Sequence, residues 1–181
     1  MAVPEALLAD HARRAYEWGR FRAALPTAGL VIPMATVSMW ACGGYAAPAV
    51  CGSALALLIT ASLWRGEEFG RGVRAGLWGG LAPLLLPVAV GASGHTCQGG
   101  VCLLMPLVCV GGGVVGGLAV VLTARDRSLR YLMPAFLTVA LAGGLGCIVA
   151  GLAGVAGMAI GMALSATSLF VAPAPAGPGR G

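Results

Sequence analysis

The chain has 181 residues, of which 59% are hydrophobic and only 9% are charged, and its formal net charge is +5. Soluble domains carry about 25% charged residues, and the mean hydropathy of this chain is +0.91, so the composition excludes an ordinary soluble domain. The positive side chains are all arginines in small clusters that mostly include acidic residues, a pattern that does not indicate direct binding of nucleic acid.

The arginines divide the chain into apolar segments. They occur in four places: Arg13, Arg14, Arg20 and Arg22; Arg65, Arg71 and Arg74; Arg125, Arg127 and Arg130; and Arg180. Each interval between clusters has room for two spans of about 20 residues, and the loop within each interval contains no Lys, Arg, Asp or Glu. Because arginine-rich loops stay in the cytoplasm, the pattern predicts an all-α integral membrane protein with six spans and both termini in the cytoplasm.

The first predicted element, residues 1–22, is a cytoplasmic amphipathic helix. Its apolar stripe, which repeats with helical spacing, consists of Leu8, Ala12, Ala15 and Trp18. Arg13 and Arg14 supply charge beside the stripe. Two interpretations are open: the helix docks a cytoplasmic regulatory protein, or it lies on the inner leaflet of the bilayer with its stripe in lipid.

The membrane domain is predicted to cover residues 23–172. Its six spans are 23–41, 46–64, 75–93, 103–124, 131–150 and 153–172. They are arranged as three helical hairpins, each with a proline early in its first span. The polar residues of the spans include hydroxyls such as Thr36, Ser38, Thr60 and Thr138, which can bond back to their own helix. The tail, residues 173–181, is rich in Pro and Gly and is expected to be disordered.

Two cysteine pairs are predicted on the outer side of the membrane: Cys42 with Cys51, and Cys97 with Cys102. An oxidising periplasm favours disulfides, and each local pairing would close a short loop. Three interpretations remain open. The cysteines form structural disulfides, they act as a redox or metal switch, or they are free thiols. In the second case His95, Cys97 and Cys102 would supply the ligands for zinc or a similar ion.

Cys109 and Cys147 lie within the fourth and fifth predicted spans. A buried free cysteine usually behaves as a small apolar residue, so we expect each to fill space between helices. Cysteine pairs inside a membrane can carry a soft metal ion, as in mercury-carrier proteins. Those carriers use closely spaced cysteines, whereas this chain has one cysteine in each of two spans.

Glycines repeat at four-residue spacing in three spans. The pairs are Gly76 with Gly80, Gly112 with Gly116, Gly113 with Gly117, and Gly157 with Gly161. This spacing places two glycines on one helix face, where a neighbouring backbone can approach closely. The run 111–117 also fits G-x-G-x-x-G, but a dinucleotide site needs a preceding strand. We therefore predict helix packing there.

Candidate catalytic chemistry is sparse. The two histidines, His11 and His95, are predicted on opposite sides of the membrane, and no nucleophile–base pair is evident. An enzyme is therefore not expected, and no cofactor is predicted. The predicted spans contain no Asp, Glu, Lys, Arg or His, which argues against a proton-coupled transporter.

The layout resembles that of bacterial six-span membrane anti-sigma factors. The matching features are the helix at residues 1–22, the six spans within 23–172 and the scattered cysteines. The resemblance implies a regulator that holds a sigma factor at the inner membrane and releases it on stress. High Ala and Gly content without Lys also indicates a GC-rich bacterial genome. The alternatives are a small permease-like transporter, with a path between the proline-containing spans 1, 3 and 5, and an assembly subunit of a membrane complex.

Overall fold

The computed structural model describes residues 5–42, 44–92, 104–124 and 128–171, and these are almost entirely helical. The helices are α1 (Glu5–Gly29), α2 (Val31–Cys42), α3 (Ala46–Arg65), α4 (Glu67–Ala92), α5 (Leu104–Thr123), α6 (Leu129–Cys147) and α7 (Gly151–Val171). A 3-10 turn, Ile148–Ala150, joins α6 to α7. Six helical segments are long and apolar enough to cross a membrane. The predicted all-α class with six such segments is confirmed.

The first of these segments, His11–Ala41, is made by α1 and α2 together. α1 continues without a break past residue 22, so the amphipathic N-terminal segment and the start of the first span form one helix. The helix is interrupted at Leu30, whose N–H bonds to the Thr27 carbonyl at 3.3 Å. Pro33 explains this break, because it has no N–H to donate to the carbonyl of Gly29.

The most extensive helix packing is between α4 and α6. A Cβ added at Gly72, near the start of α4, would meet the carbonyl oxygen of Tyr131, near the start of α6. Two turns later, a Cβ at Gly80 would lie 2.6 Å from the Cβ of Ala142. Because the contacts advance together along both helices, α4 and α6 run in the same direction. Small residues permit this close approach.

α5 packs against two different helices through adjacent glycines. A Cβ at Gly112 would lie 2.8 Å from the Cα of Pro83 in α4. One at Gly113 would meet the carbonyl oxygen of Met158 in α7. Neighbouring positions on a helix point about 100° apart, so the two glycine pairs of α5 serve two interfaces. One turn later, Gly116 lies against α4 and Gly117 against α7.

α7 contributes its own glycine pair to the interface with α5. A Cβ at Gly157 would lie 2.7 Å from the carbonyl oxygen of Pro106, and one at Gly161 would meet the carbonyl oxygen of Val110. These contacts also advance in step, so α5 and α7 run parallel. The connection into α7 is very short, and Gly151 takes φ +69° there, a conformation that glycine adopts without a Cβ clash.

A hydroxyl links α2 to α6. Thr36, Thr60 and Thr138 donate to carbonyls of their own helices, as expected from the sequence. Ser38 differs: it is fully buried, and its Oγ donates to the carbonyl oxygen of Leu145 in α6 at 2.5 Å. Leu145 lies in the last turn of α6. The bond therefore joins α2 to the end of α6.

Ser38→Ala is expected to lower the free energy of unfolding by about 0.5–2 kcal/mol, the scale of hydrogen bonds between membrane helices. The measurement is the apparent melting temperature of the full-length protein in detergent. Ser53→Ala is the matched control, because the Ser53 hydroxyl is exposed and donates to the Val50 carbonyl of its own helix at 2.9 Å. Equal melting temperatures for the two variants would contradict the prediction.

Candidate functional site

Charged side chains of α1 and α4 gather beside the end of α3. Arg20 of α1 donates to the Leu63 carbonyl at 3.2 Å, close to the end of α3, where helix carbonyls lack intrahelical donors. Glu67 and Arg71, in the first turns of α4, form an ion pair at 2.5 Å. A cavity of about 470 Å³ between these helices is lined by Tyr16, Arg20, Ala23, Ala24, Leu63, Gly66, Glu67, Gly70, Arg71 and Arg74. The first two arginine clusters of the sequence therefore meet at one end of the bundle.

The apolar stripe of α1 is uncovered where the structure describes its side chains. Ala12 and Ala15 are exposed. Trp18 keeps 62% of its surface exposed and stacks on Phe21, with ring centroids 5.8 Å apart. Leu8 lies in α1, but its side chain is outside the described part of the chain. The apolar stripe, which ends in the aromatic side chain of Trp18, is therefore available for contact with protein or lipid.

The charges that were predicted beside the stripe are also at the surface. Arg13 and Arg14 are exposed. The Nε of Arg13 donates to the Glu17 carboxylate at 3.1 Å, one helical turn away. An exposed ion pair of this kind contributes little to stability. Arg13 and Glu17 are therefore available for a partner without a large cost in folding.

The outer cysteines are only partly described. Cys51 is a half-buried free thiol in α3, and Cys42 ends α2 with its side chain undescribed. His95, Cys97 and Cys102 lie outside the described residues, so both disulfide pairings and the metal alternative stay predictions. Within the described ranges, His, Cys, Asp and Glu side chains form no group of three that could hold a metal ion.

Cys109 and Cys147 are brought together from different helices. Both are fully buried and free, and they belong to one buried cluster. A Cβ added at Gly154 of α7 would lie 3.2 Å from the Sγ of Cys109 and 2.7 Å from the carbonyl oxygen of Cys147. The Sγ of Cys147 also donates to the carbonyl oxygen of Pro83 at 3.9 Å. The local pattern predicts each cysteine only as a separate apolar residue, because nothing in it shows which helix faces lie side by side.

Comparison with protein families, curated proteins and solved structures finds no match for this chain.

Proposed function

We propose that the protein is a non-enzymatic regulator or sensor of the bacterial inner membrane, and that its N-terminal helix binds a regulatory protein in the cytoplasm. The observation that carries this proposal is the exposed stripe on α1, a helix that continues directly into the first span. A displacement of that span would move the docking surface with it. The resemblance to six-span anti-sigma factors implies a sigma factor as the partner.

Insertion into a bilayer as three hairpins is part of the proposal. It is supported by the apolar outer surface of the helices, since at most 44% of the most apolar window of any candidate span is buried. Trp40 and Tyr45 are exposed near one end of the first hairpin, while Trp18 and Trp64 are exposed near the other. Aromatic residues favour both membrane interfaces, so these two groups suit the two edges of a bilayer.

The orientation of the proposed insertion follows from charge. Arg20, Arg71 and Arg74 line the cavity at the end opposite Trp40 and Tyr45. Arginines of this kind favour the cytoplasmic side and its anionic lipid headgroups. In this orientation α1 begins in the cytoplasm and its stripe lies within reach of a cytoplasmic protein.

The contacts of Arg20 support a mechanical link between the docking helix and the membrane domain. Its guanidinium bonds to the end of α3 and borders the cavity shared with α4. A rearrangement of α3 or α4 would change these contacts and with them the position of α1. The partner would be bound or released through that change in position.

The test is a double substitution in the stripe, Leu8→Asp with Trp18→Asp. Two carboxylates on the apolar face are expected to abolish binding of the partner, whereas insertion should persist because the six apolar segments carry it. Full-length protein is purified from membranes of the native bacterium, and co-purifying proteins are identified by mass spectrometry. The identified partner is then titrated against wild-type and variant protein in micelles.

The matched control, Leu8→Met with Trp18→Phe, keeps the stripe apolar and should retain the partner. An identical set of co-purifying proteins for wild type and the aspartate variant would refute docking. The stripe would then be a lipid contact alone.

A further inference from the structure

Three sulfur atoms and one carbonyl oxygen, each from a different helix, converge in the core. Cys109 of α5, Cys147 of α6 and Met158 of α7 belong to one buried cluster. Both cysteines are fully buried, and Met158 is only 3% exposed. Pro83 of α4 presents its carbonyl oxygen to Cys147. The cluster therefore gathers soft sulfur donors from three helices and a carbonyl oxygen from a fourth.

Proline chemistry explains why the Pro83 carbonyl faces a thiol. In an α-helix this oxygen would accept from the N–H four residues later, but that residue is Pro87, which has no N–H. The Sγ of Cys147 donates instead to the Pro83 carbonyl oxygen, at 3.9 Å. Gly146 permits the approach, because a Cβ there would lie 2.6 Å from the same oxygen.

Glycines also make room for the other two sulfur atoms. A Cβ at Gly143, one turn before Cys147, would lie 2.8 Å from the Sδ of Met158. A Cβ at Gly154, one turn before Met158, would lie 3.2 Å from the Sγ of Cys109. Since Gly143 and Cys147 share a helix face, the thioether and both thiols lie around one small region of the core.

We propose that Cys109, Cys147 and Met158 form a binding site for one soft monovalent cation, Cu(I) or Ag(I). Thiolate and thioether sulfur are the ligands that select Cu(I), whereas Ca²⁺ and Mg²⁺ need several oxygen ligands. This site rests on the geometry of the sulfur cluster and not on the proposed regulatory function.

Charge balance also favours a monovalent ion. One Cu⁺ binds the two thiols, one thiol releases its proton to water, and the complex of one thiolate, one thiol and Cu⁺ is neutral. No electron is transferred. Burial of net charge in a low-dielectric core is costly, so a neutral complex suits this location. The Met158 thioether adds a third ligand without adding charge.

The depth of the site suits entry from the side opposite the arginines. Cys147 is the last residue of α6. Cys109 is five residues after the first residue of α5, about 8 Å along the helix at 1.5 Å per residue. A cation therefore reaches the sulfur atoms without crossing the full thickness of the bundle.

The test begins with the full-length protein in micelles, kept reduced and free of oxygen. Cys42, Cys51, Cys97 and Cys102 are changed together to serine, which leaves Cys109 and Cys147 as the remaining thiols. Titration with Cu(I) buffered by a chromogenic chelator should then show one Cu(I) per chain. Copper K-edge absorption should show sulfur ligation. A four-serine protein that folds and takes up no Cu(I) would overturn the proposal.

Single substitutions in that background locate the site. Cys109→Ser and Cys147→Ser should each lose Cu(I) binding, with Cys109→Ala and Cys147→Ala used if a serine variant fails to insert. Met158→Leu conserves volume and should weaken binding by about tenfold or more, as loss of even an outer-shell partner does. Unchanged binding in the cysteine variants, or a Cys109–Cys147 disulfide in freshly isolated protein, would refute the site. Failure here leaves the partner titration of α1 unaffected, so the two proposals are tested separately.

Discussion

Replacing Gly76 by alanine is expected to destabilise the helix bundle by about 1–3 kcal/mol, the usual cost of overpacking. The added Cβ would meet the carbonyl oxygen of Ala135 and lie 2.7 Å from the Cβ of Thr138. Neither neighbour moves easily. The Ala135 carbonyl belongs to the backbone of α6, and the buried Thr138 side chain is held by its bond to the Pro134 carbonyl at 2.6 Å. The new methyl group must therefore push α4 away from α6.

The measurement is the fraction of detergent-solubilised protein that stays monodisperse in gel filtration after heating. Gly144→Ala is the matched control, because among described atoms none lies within 4 Å of a Cβ at that position. Its expected effect is neutral or stabilising, since alanine favours a helix over glycine by up to about 1 kcal/mol. The prediction is contradicted if the Gly76→Ala protein stays monodisperse to the same temperature as the Gly144→Ala protein, or to a higher one. In that case a side chain at position 76 does not push α4 away from α6.

Reporter fusions are expected to give an all-or-none pattern that fixes the orientation of the protein. A periplasm-active enzyme should be active when fused after Gly44 or after Gly99, and inactive when fused after Gly70. The physical reason is the arginine content of the segment around Gly70, together with the absence of charge near the other two positions.

A cytoplasm-active reporter at the same three positions is the control and should give the opposite pattern. Periplasmic activity at Gly70 would show an inverted protein. Silence of the periplasmic reporter at both Gly44 and Gly99, with cytoplasmic activity there, would show that a predicted span does not cross. An inverted protein would place α1 outside the cytoplasm, which contradicts the docking proposal. A missing span would change which side of the membrane the predicted outer cysteines face.

Much of the glycine packing was visible in the sequence. Gly76 and Gly80 share a helix face by their spacing, and both lie against α6. Gly72 extends the same four-residue repeat and also lies against α6, so the repeat has three members. Gly79 and Gly146 carry no such signal. They lie at interfaces because of the way α4, α5 and α6 approach one another.

The first span shows where local pattern and structure diverge. The charged residues before Arg22 predict a separate amphipathic helix, yet α1 continues to Gly29. Charged residues end an apolar run, but they do not end a helix, since arginine and glutamate are good helix formers. The break instead lies at Leu30, just before Pro33.

The helical class and the number of segments long and apolar enough to cross a membrane were predictable from the sequence. Both depend on local quantities, since about 20 consecutive apolar residues suffice for a span. Two contacts depend on how the helices assemble: Ser38 bonds to Leu145, and Cys109 and Cys147 join one buried cluster. Between membrane helices, apolar faces suit lipid and protein equally, so hydrophobicity does not select helix neighbours. Close packing at glycines and the satisfaction of freed carbonyls select them, and both depend on residues distant in the chain.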